Sequence, residues 1–256
     1  MTWELFGLLT RIRVPGAQMD MAKAARLQHL FPLVGLVVGL SLSLAATVLG
    51  WVFEKELSLV SAGLLLVFMY YVMGILHTEG LADFADGVMA GGTKERKREV
   101  MKDVRVGVAA ILAVVVYLIM MFSLSVTILS DPSRRVDVFP LPWEVVFAMG
   151  FVLAEMSGKL AMNTAMYLGP SSHAGMGSMF VDQASAGKLL VSMATAGVVA
   201  LLIAGWLFAM VYVGVIAGVV VTLVARKNFG GVAGDSFGAA NEVGRASALI
   251  LWVLLI

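Results

Sequence analysis

Long apolar runs alternate with short polar segments along this chain, and that alternation gives its first outline. Apolar runs cover residues 32–53, 57–76, 108–129, 145–165 and 189–225, and a last one starts near Gly238. Runs of ~18 or more apolar residues mark membrane-crossing helices. Residues 189–225 are uncharged. A single helix of that length would measure ~55 Å at ~1.5 Å per residue, nearly twice the ~30 Å hydrocarbon core. Two spans with a turn near 205–209 fit better. The pattern predicts an all-α, polytopic transmembrane helical bundle of about seven spans. Residues 1–256 form one integral-membrane domain. Ahead of the first span, residues 2–12 read as a short amphipathic helix, with Trp3 and Phe6 at the membrane interface and Arg11 and Arg13 in water. Pro15-Gly16 ends it, and residues 1–31 make an N-terminal amphipathic segment.

Composition agrees. The chain is 60% hydrophobic and 14% charged, against roughly 45–50% and 25% for a soluble domain. A net charge of +1 speaks against nucleic acid as a partner. The absence of cysteine excludes disulfides, zinc–thiolate sites and thiol nucleophiles. The N-terminus does not read as a cleavable signal peptide, because arginines follow its short apolar stretch and no small-residue cleavage site appears.

The positive charges are unevenly divided. With seven spans and a cytoplasmic N-terminus, 13 Lys and Arg fall on the inner side and 3 (Lys55, Arg134, Arg135) on the outer, while Lys159 and Arg245 lie within spans. The bias favours that orientation. It gathers three polar segments at the cytoplasmic face: 77–107, 166–188 and the loop beginning at Arg226.

The first of these carries the densest chemistry. In a helix, Glu79, Asp83 and Asp86 stand at i, i+4 and i+7 and share a face. Three like charges there repel, and a hard divalent cation would turn repulsion into attraction. The competing reading is a solvated acidic helix end. Gly80 and Gly87 are expected to interrupt the helix. Lys94, Arg96, Lys97 and Arg98 follow and read as a solvated, positive-inside anchor. Lys102, Asp103 and Arg105 come within reach of the carboxylates if the segment folds back as a helical hairpin. Gly175 and Gly177, in a loop of small residues, offer backbone N–H groups to phosphate. Glu155, Lys159 and Asn163 line one face of the fourth span, as an internal Glu155–Lys159 pair or as a site wall. The Gly35/Gly39 pair reads as a close helix contact within the chain in preference to a dimer seam.

Carboxylates for a metal, basic side chains for phosphate oxygens and glycine loops for close backbone approach point to phosphoryl transfer, where the protein chiefly positions groups and neutralises charge. A carboxylate free of metal would take the proton of an attacking hydroxyl.

At these residues the chain resembles the adenosylcobinamide-GDP ribazoletransferase family, also called cobalamin-5′-phosphate synthase. The resemblance rests on Leu9-Thr10-Arg11-Ile12, on Phe31-Pro32-Leu33-Val34-Gly35, and on His77-x-Glu79-Gly-Leu-Ala-Asp83-x-x-Asp86-Gly87. It continues through Glu99-x-Met101-Lys102-Asp103-x-Arg105-x-Gly107 and Gly230-Gly-Val-Ala-Gly-Asp235-x-x-Gly238-Ala-x-Asn241-Glu242. It implies a membrane transferase of late cobalamin biosynthesis that joins adenosylcobinamide-GDP to α-ribazole or its 5′-phosphate and releases GMP. Mg²⁺ is the implied cofactor, with Mn²⁺ as the alternative. The implied location is the cell membrane, multi-pass, with the site facing the cytoplasm.

Taken with that resemblance, the candidate catalytic residues are Asp83, Asp86 and Asp103, and the metal ligands Glu79, Asp83 and Asp86. The substrate-binding candidates are His77, Lys102, Arg105, Arg11, Gly175, Gly177, Asp235 and Asn241. The lipid bilayer is the expected surrounding, and small-residue helix faces suit a homo-oligomer. The chain has Glu79 where the family usually has aspartate, and Ser171-Ser172-His173 where bacterial members often have an arginine before the Gly-x-Gly. Asp83-x-x-Asp86-Gly87-x-x-Ala90 also looks like the opening of the CDP-alcohol phosphotransferase motif, but Gly91 stands where that motif has arginine. Such a transferase, or a prenyl-type one, is the alternative enzyme. A transporter is the alternative of a different class, but neither an internal repeat nor a run of mid-membrane ionisable groups stands out.

Overall fold

A computed structural model describes residues 3–12, 20–53, 57–130 and 143–256. Arg13, Pro15-Gly16, Lys55, Arg134 and Arg135 lie outside the described residues. Among those described there is no β-strand, only an isolated parallel bridge between Ser171 and Val232. The helices are α1 (Trp3–Leu9), α2 (Met21–Arg26), α3 (Phe31–Val52), α4 (Ser58–Met73), α5 (Leu76–Met89) and α6 (Lys94–Met101). They continue as α7 (Val108–Ser130), α8 (Trp143–Leu168), α9 (Met176–Asp182), α10 (Ala186–Ala204), α11 (Val213–Phe229) and α12 (Gly234–Leu255).

The centre of the bundle is α8, which packs against α3, α12, α11 and α10. Lipid tails supply no hydrophobic drive between helices, so close contact depends on small side chains. Gly35 and Gly39 serve that end within the chain: an added Cβ would lie 2.7 Å from the Glu155 carbonyl oxygen and 2.5 Å from Val152 Cα. The outside of the bundle is apolar. Leu44, Val67, Ile119, Leu202 and Ile216 are exposed, whereas Glu155, Lys159, Glu242 and Arg245 are buried. Apolar outside and polar inside is the arrangement of a helical membrane protein.

Among the described residues three segments suffice, by length and composition, to cross a membrane: Gln28–Val52, Val108–Ser130 and Ala186–Phe229. Ser58–Met73 with Leu76–Met89 makes a fourth if that bent pair is one span. The expected seven is larger because it counts α8 and α12, whose charged groups face inward, and because it divides 186–229. The chain does reverse there. Gly205 turns with φ +54°, and the 3₁₀ helix Gly205–Tyr212 runs back beside α10, where the Tyr212 hydroxyl donates to the Met193 carbonyl at 3.1 Å.

Two local features place the site. Gly74 has φ +73°, a conformation that favours glycine, and there the chain bends by 95° between α4 and α5. After α5 the chain folds back, so α6 lies against α5 as the expected hairpin. The helix α5 runs unbroken through Gly80 and Gly87, contrary to the interruption their propensities suggested. Tertiary contact outweighs the roughly 1 kcal/mol that each glycine costs a helix. The second polar segment is also more ordered than a loop: it contains α9, capped by reciprocal bonds between Ser178 and the Gly175 backbone.

Candidate functional site

Three polar segments meet at one end of the bundle. Ser172 N–H donates to the Val232 carbonyl at 2.9 Å, and Val232 N–H to the Pro170 carbonyl at 2.8 Å. Arg98 donates to the Phe229 carbonyl at 2.9 Å and to the Ser172 carbonyl at 3.4 Å. Lys97 donates to the Val88 carbonyl at 2.9 Å and to Asn228 at 2.8 Å. Lys97 and Arg98 were expected only to anchor the chain in water. They instead latch the ends of α5 and α11 and the 170–173 segment together, a use that their charge alone did not disclose.

The carboxylates are positioned by a crossing of α5 over α12. At that crossing Gly80 faces Gly238: a Cβ on Gly80 would lie 3.1 Å from the Asp235 carbonyl oxygen, and one on Gly238 would lie 2.8 Å from the His77 carbonyl oxygen. The close approach brings Asp235 of α12 beside Glu79 and Asp83 of α5. Burial first, then the charges of Asp83 and Glu79, push the Asp235 carboxyl up from 3.8 to about 6, and Lys102 opposes them. Asp83 is raised by burial, by Glu79 and by Asp86. Lys102 and Arg98 also act on the half-buried His173, whose ring is lowered first by burial and then by those charges. Glu79, Asp83 and Asp235 therefore share one electrostatic neighbourhood with Lys102, which in turn borders His173.

Asp86 faces elsewhere. Its Oδ2 accepts the Gly107 N–H at 2.6 Å and its Oδ1 the Ala110 N–H at 2.8 Å, which caps the N-terminus of α7 from another helix. Orphan N–H groups and the helix dipole both favour a carboxylate there. Gly107 is required beside it, because a Cβ would strike the Asp86 carboxylate. Asp103 is bound to Arg105, whose guanidinium donates to it at 3.1 Å and 2.7 Å. Those bonds hold the Asp103 carboxyl down at about 2, which makes it a poor proton acceptor. Arg105 is otherwise exposed.

The remaining candidates separate. Arg11 lies at the α4–α5 bend: its N–H donates to the Val72 carbonyl at 2.7 Å, and its side chain borders Gly74 in an open groove. Gly177 abuts Gly234, where a Cβ would come within 2.7 Å of the Gly234 nitrogen, and Gly175 is exposed at the start of α9. His77 is buried, and its Nε2 has no hydrogen-bond partner. Asn241 sits deep in the bundle, where its Oδ1 accepts from Lys159 at 2.7 Å.

Asn241 belongs to a buried polar core. Arg245 pairs with Glu155 at 2.6 Å and with Glu242, and donates to the Tyr117 hydroxyl at 2.8 Å. Glu242 also accepts from Thr78 at 3.2 Å. The partner of Glu155 is thus Arg245 on α12, in place of the expected Lys159. Among the described residues Glu155, Lys159, Glu242 and Arg245 are all buried here, two acidic groups with two basic ones.

The donor set fits a hard divalent cation in type, since Glu79, Asp83 and Asp235 are oxygen donors left in mutual repulsion. Among the described residues no three His, Asp or Glu side chains gather closely enough to form a ready-made metal site. Magnesium at phosphate-transfer sites typically takes one or two carboxylates and completes its shell with substrate oxygens and water, so the two observations are compatible.

Fold and site together define a helical membrane protein with a carboxylate-lined polar site, flanked by lysine and histidine, at one end of its bundle. The family model described as "Cobalamin-5-phosphate synthase" matches residues 2–253, and the chain belongs to that family. Similar proteins named adenosylcobinamide-GDP ribazoletransferase include one from Thermococcus kodakarensis, 36% identical over 98% of this chain and 97% of its own. Another, from Thermococcus onnurineus, is 34% identical over 97% and 95%, and one from Methanococcoides burtonii is 29% identical over 98% and 90%. No solved structure matches.

Proposed function

We propose that this chain joins adenosylcobinamide-GDP to α-ribazole or its 5′-phosphate, releasing GMP, at the polar end of the bundle. Family membership supports the reaction. The observation that supports its location is the approach of Asp235 to Glu79, Asp83 and Lys102 where α5 crosses α12. A ribose hydroxyl oxygen bonds to the corrinoid-side phosphorus, the bond from that phosphorus to the GMP oxygen breaks, and the hydroxyl proton passes to a carboxylate. Asp83 and Asp235 are both raised in the metal-free protein, so whichever of them is left free of metal is a better acceptor for that proton than Asp103. In this reading Lys102 and His173 would meet diphosphate oxygens.

Glu79, Asp83 and Asp235 would hold Mg²⁺, or Mn²⁺, which would neutralise charge developing on the diphosphate. Asp86 enters this reading as the residue that fixes α5 against α7. The inner-side bias of Lys and Arg supports a multi-pass topology with the site facing the cytoplasm.

The test is GMP release from adenosylcobinamide-GDP on addition of α-ribazole, by purified protein in lipid, with and without Mg²⁺. Release is expected only with acceptor and metal, and Asp83→Asn is expected to abolish it. Absence of release by the wild-type protein under all conditions would overturn the proposal.

A further inference from the structure

Beside the carboxylates lies a cavity of about 160 Å³ that the transfer chemistry does not use. Its walls come from several helices: Met162 and Met166 of α8, Met176 and Phe180 of α9, Phe31 of α3, and His77 of α5. Asp235 lines it as well, so the cavity opens onto the carboxylate neighbourhood. The Phe31 and Phe180 rings pack with centroids 6.1 Å apart and form an aromatic wall. Methionine sulfur packs well against aromatic rings and adapts to irregular shapes. The cavity is too small for a nucleotide, since sites for whole drug-sized ligands run to ~300–1,000 Å³, but it has room for a planar ring system.

Besides Asp235, one polar side chain breaks the apolar lining. His77 is 6% exposed, and its Nε2 has no hydrogen-bond partner. A buried polar atom left without a partner is costly, and a ligand atom that pairs with it removes that cost. An aromatic ring bearing one bare nitrogen meets both conditions.

We infer that this cavity receives the heteroaromatic base of the ribazole acceptor, with His77 Nε2–H donating to the ring nitrogen that is not glycosylated. The assignment rests on the functional reading above and adds to it the group that selects the acceptor. With the base in the cavity, the attached ribose emerges beside Asp235, where its hydroxyl faces the carboxylates.

The experiment compares two acceptors in the GMP-release assay: the α-riboside of benzimidazole and that of indole, which places a carbon where the bare nitrogen stands. The wild-type protein is expected to prefer the benzimidazole riboside by about tenfold in kcat/KM. His77→Phe is expected to erase that preference and to raise the KM for α-ribazole, while the KM for adenosylcobinamide-GDP stays within about twofold. Met166→Phe, which fills the cavity from the α8 side, gives a second route if His77→Phe fails to fold. It is expected to raise the α-ribazole KM selectively. An active wild-type protein that treats both ribosides alike, or an unchanged preference in His77→Phe, overturns the assignment and leaves the transferase reading intact. So does a Met166→Phe variant with unchanged α-ribazole KM. A wild-type protein that releases no GMP overturns both.

Discussion

Both oxygens of Asp86 accept backbone N–H groups at the start of α7, whereas Asp83, one turn earlier on the same helix, faces other carboxylates. The two residues should therefore fail differently. Asp86→Ala strands two donors and is expected to cost about 1–3 kcal/mol, seen as a lower unfolding midpoint in detergent. Asp83→Asn should abolish turnover without lowering that midpoint, because it removes a charge that its neighbours oppose. Asp235 extends the same logic to pH. Its folded pKa of about 6 lies above the ordinary 3.8, so ionisation penalises the folded state. In metal-free protein that penalty is full above about pH 6 and gone below about 3.8. Stability from this group therefore rises as pH falls through that window. Thermal unfolding across the window should show this rise in the wild type and a flatter profile in Asp235→Asn. The spacing of Glu79, Asp83 and Asp86 correctly places all three on one helix. It does not reveal that Asp86 turns to a backbone 21 residues away or that Asp235 joins Glu79 and Asp83. Those facts depend on which helices touch, and the only local sign was the pair of glycines, Gly80 and Gly238, that permits the crossing.

Between elements, α8 and α12 are joined by charge as well as by packing. Arg245 holds Glu155 and Glu242 together, and each of the three is 1% exposed. Arg245→Met should leave two buried carboxylates facing each other and cost about 3–5 kcal/mol. The measurement is chemical or thermal unfolding in detergent, with Glu242→Gln in the same background restoring part of the loss. Periodicity read α8 correctly as a helix with Glu155 and Lys159 on one face. It leaves a Glu155–Lys159 pair and a site wall both open, whereas the structure pairs Glu155 with a residue 90 positions away. The α9 helix escaped notice for another reason: at seven residues it is too short to show a period, and its glycines read as loop.

At the scale of the whole molecule, charge bias and apolar run length follow from the bilayer and hold whatever the packing. They gathered the three polar segments at one end, and the structure joins those segments by direct bonds. The lack of native cysteine makes the orientation directly measurable. Gly91→Cys, at an open position on the polar end, should react with an impermeant thiol reagent only from the cytoplasmic side, and Leu57→Cys, at the opposite end, only from outside. The 95° turn at Gly74 has a consequence at this scale. Past that glycine α5 leaves the direction of α4 almost at a right angle, so Glu79 and Asp83 stand on a helix that crosses the line of the preceding one. With the site at the cytoplasmic end, as proposed, no charge needs to travel through the electric field of the bilayer during a catalytic cycle. Vesicles held at zero or at 100 mV should accordingly give the same turnover number.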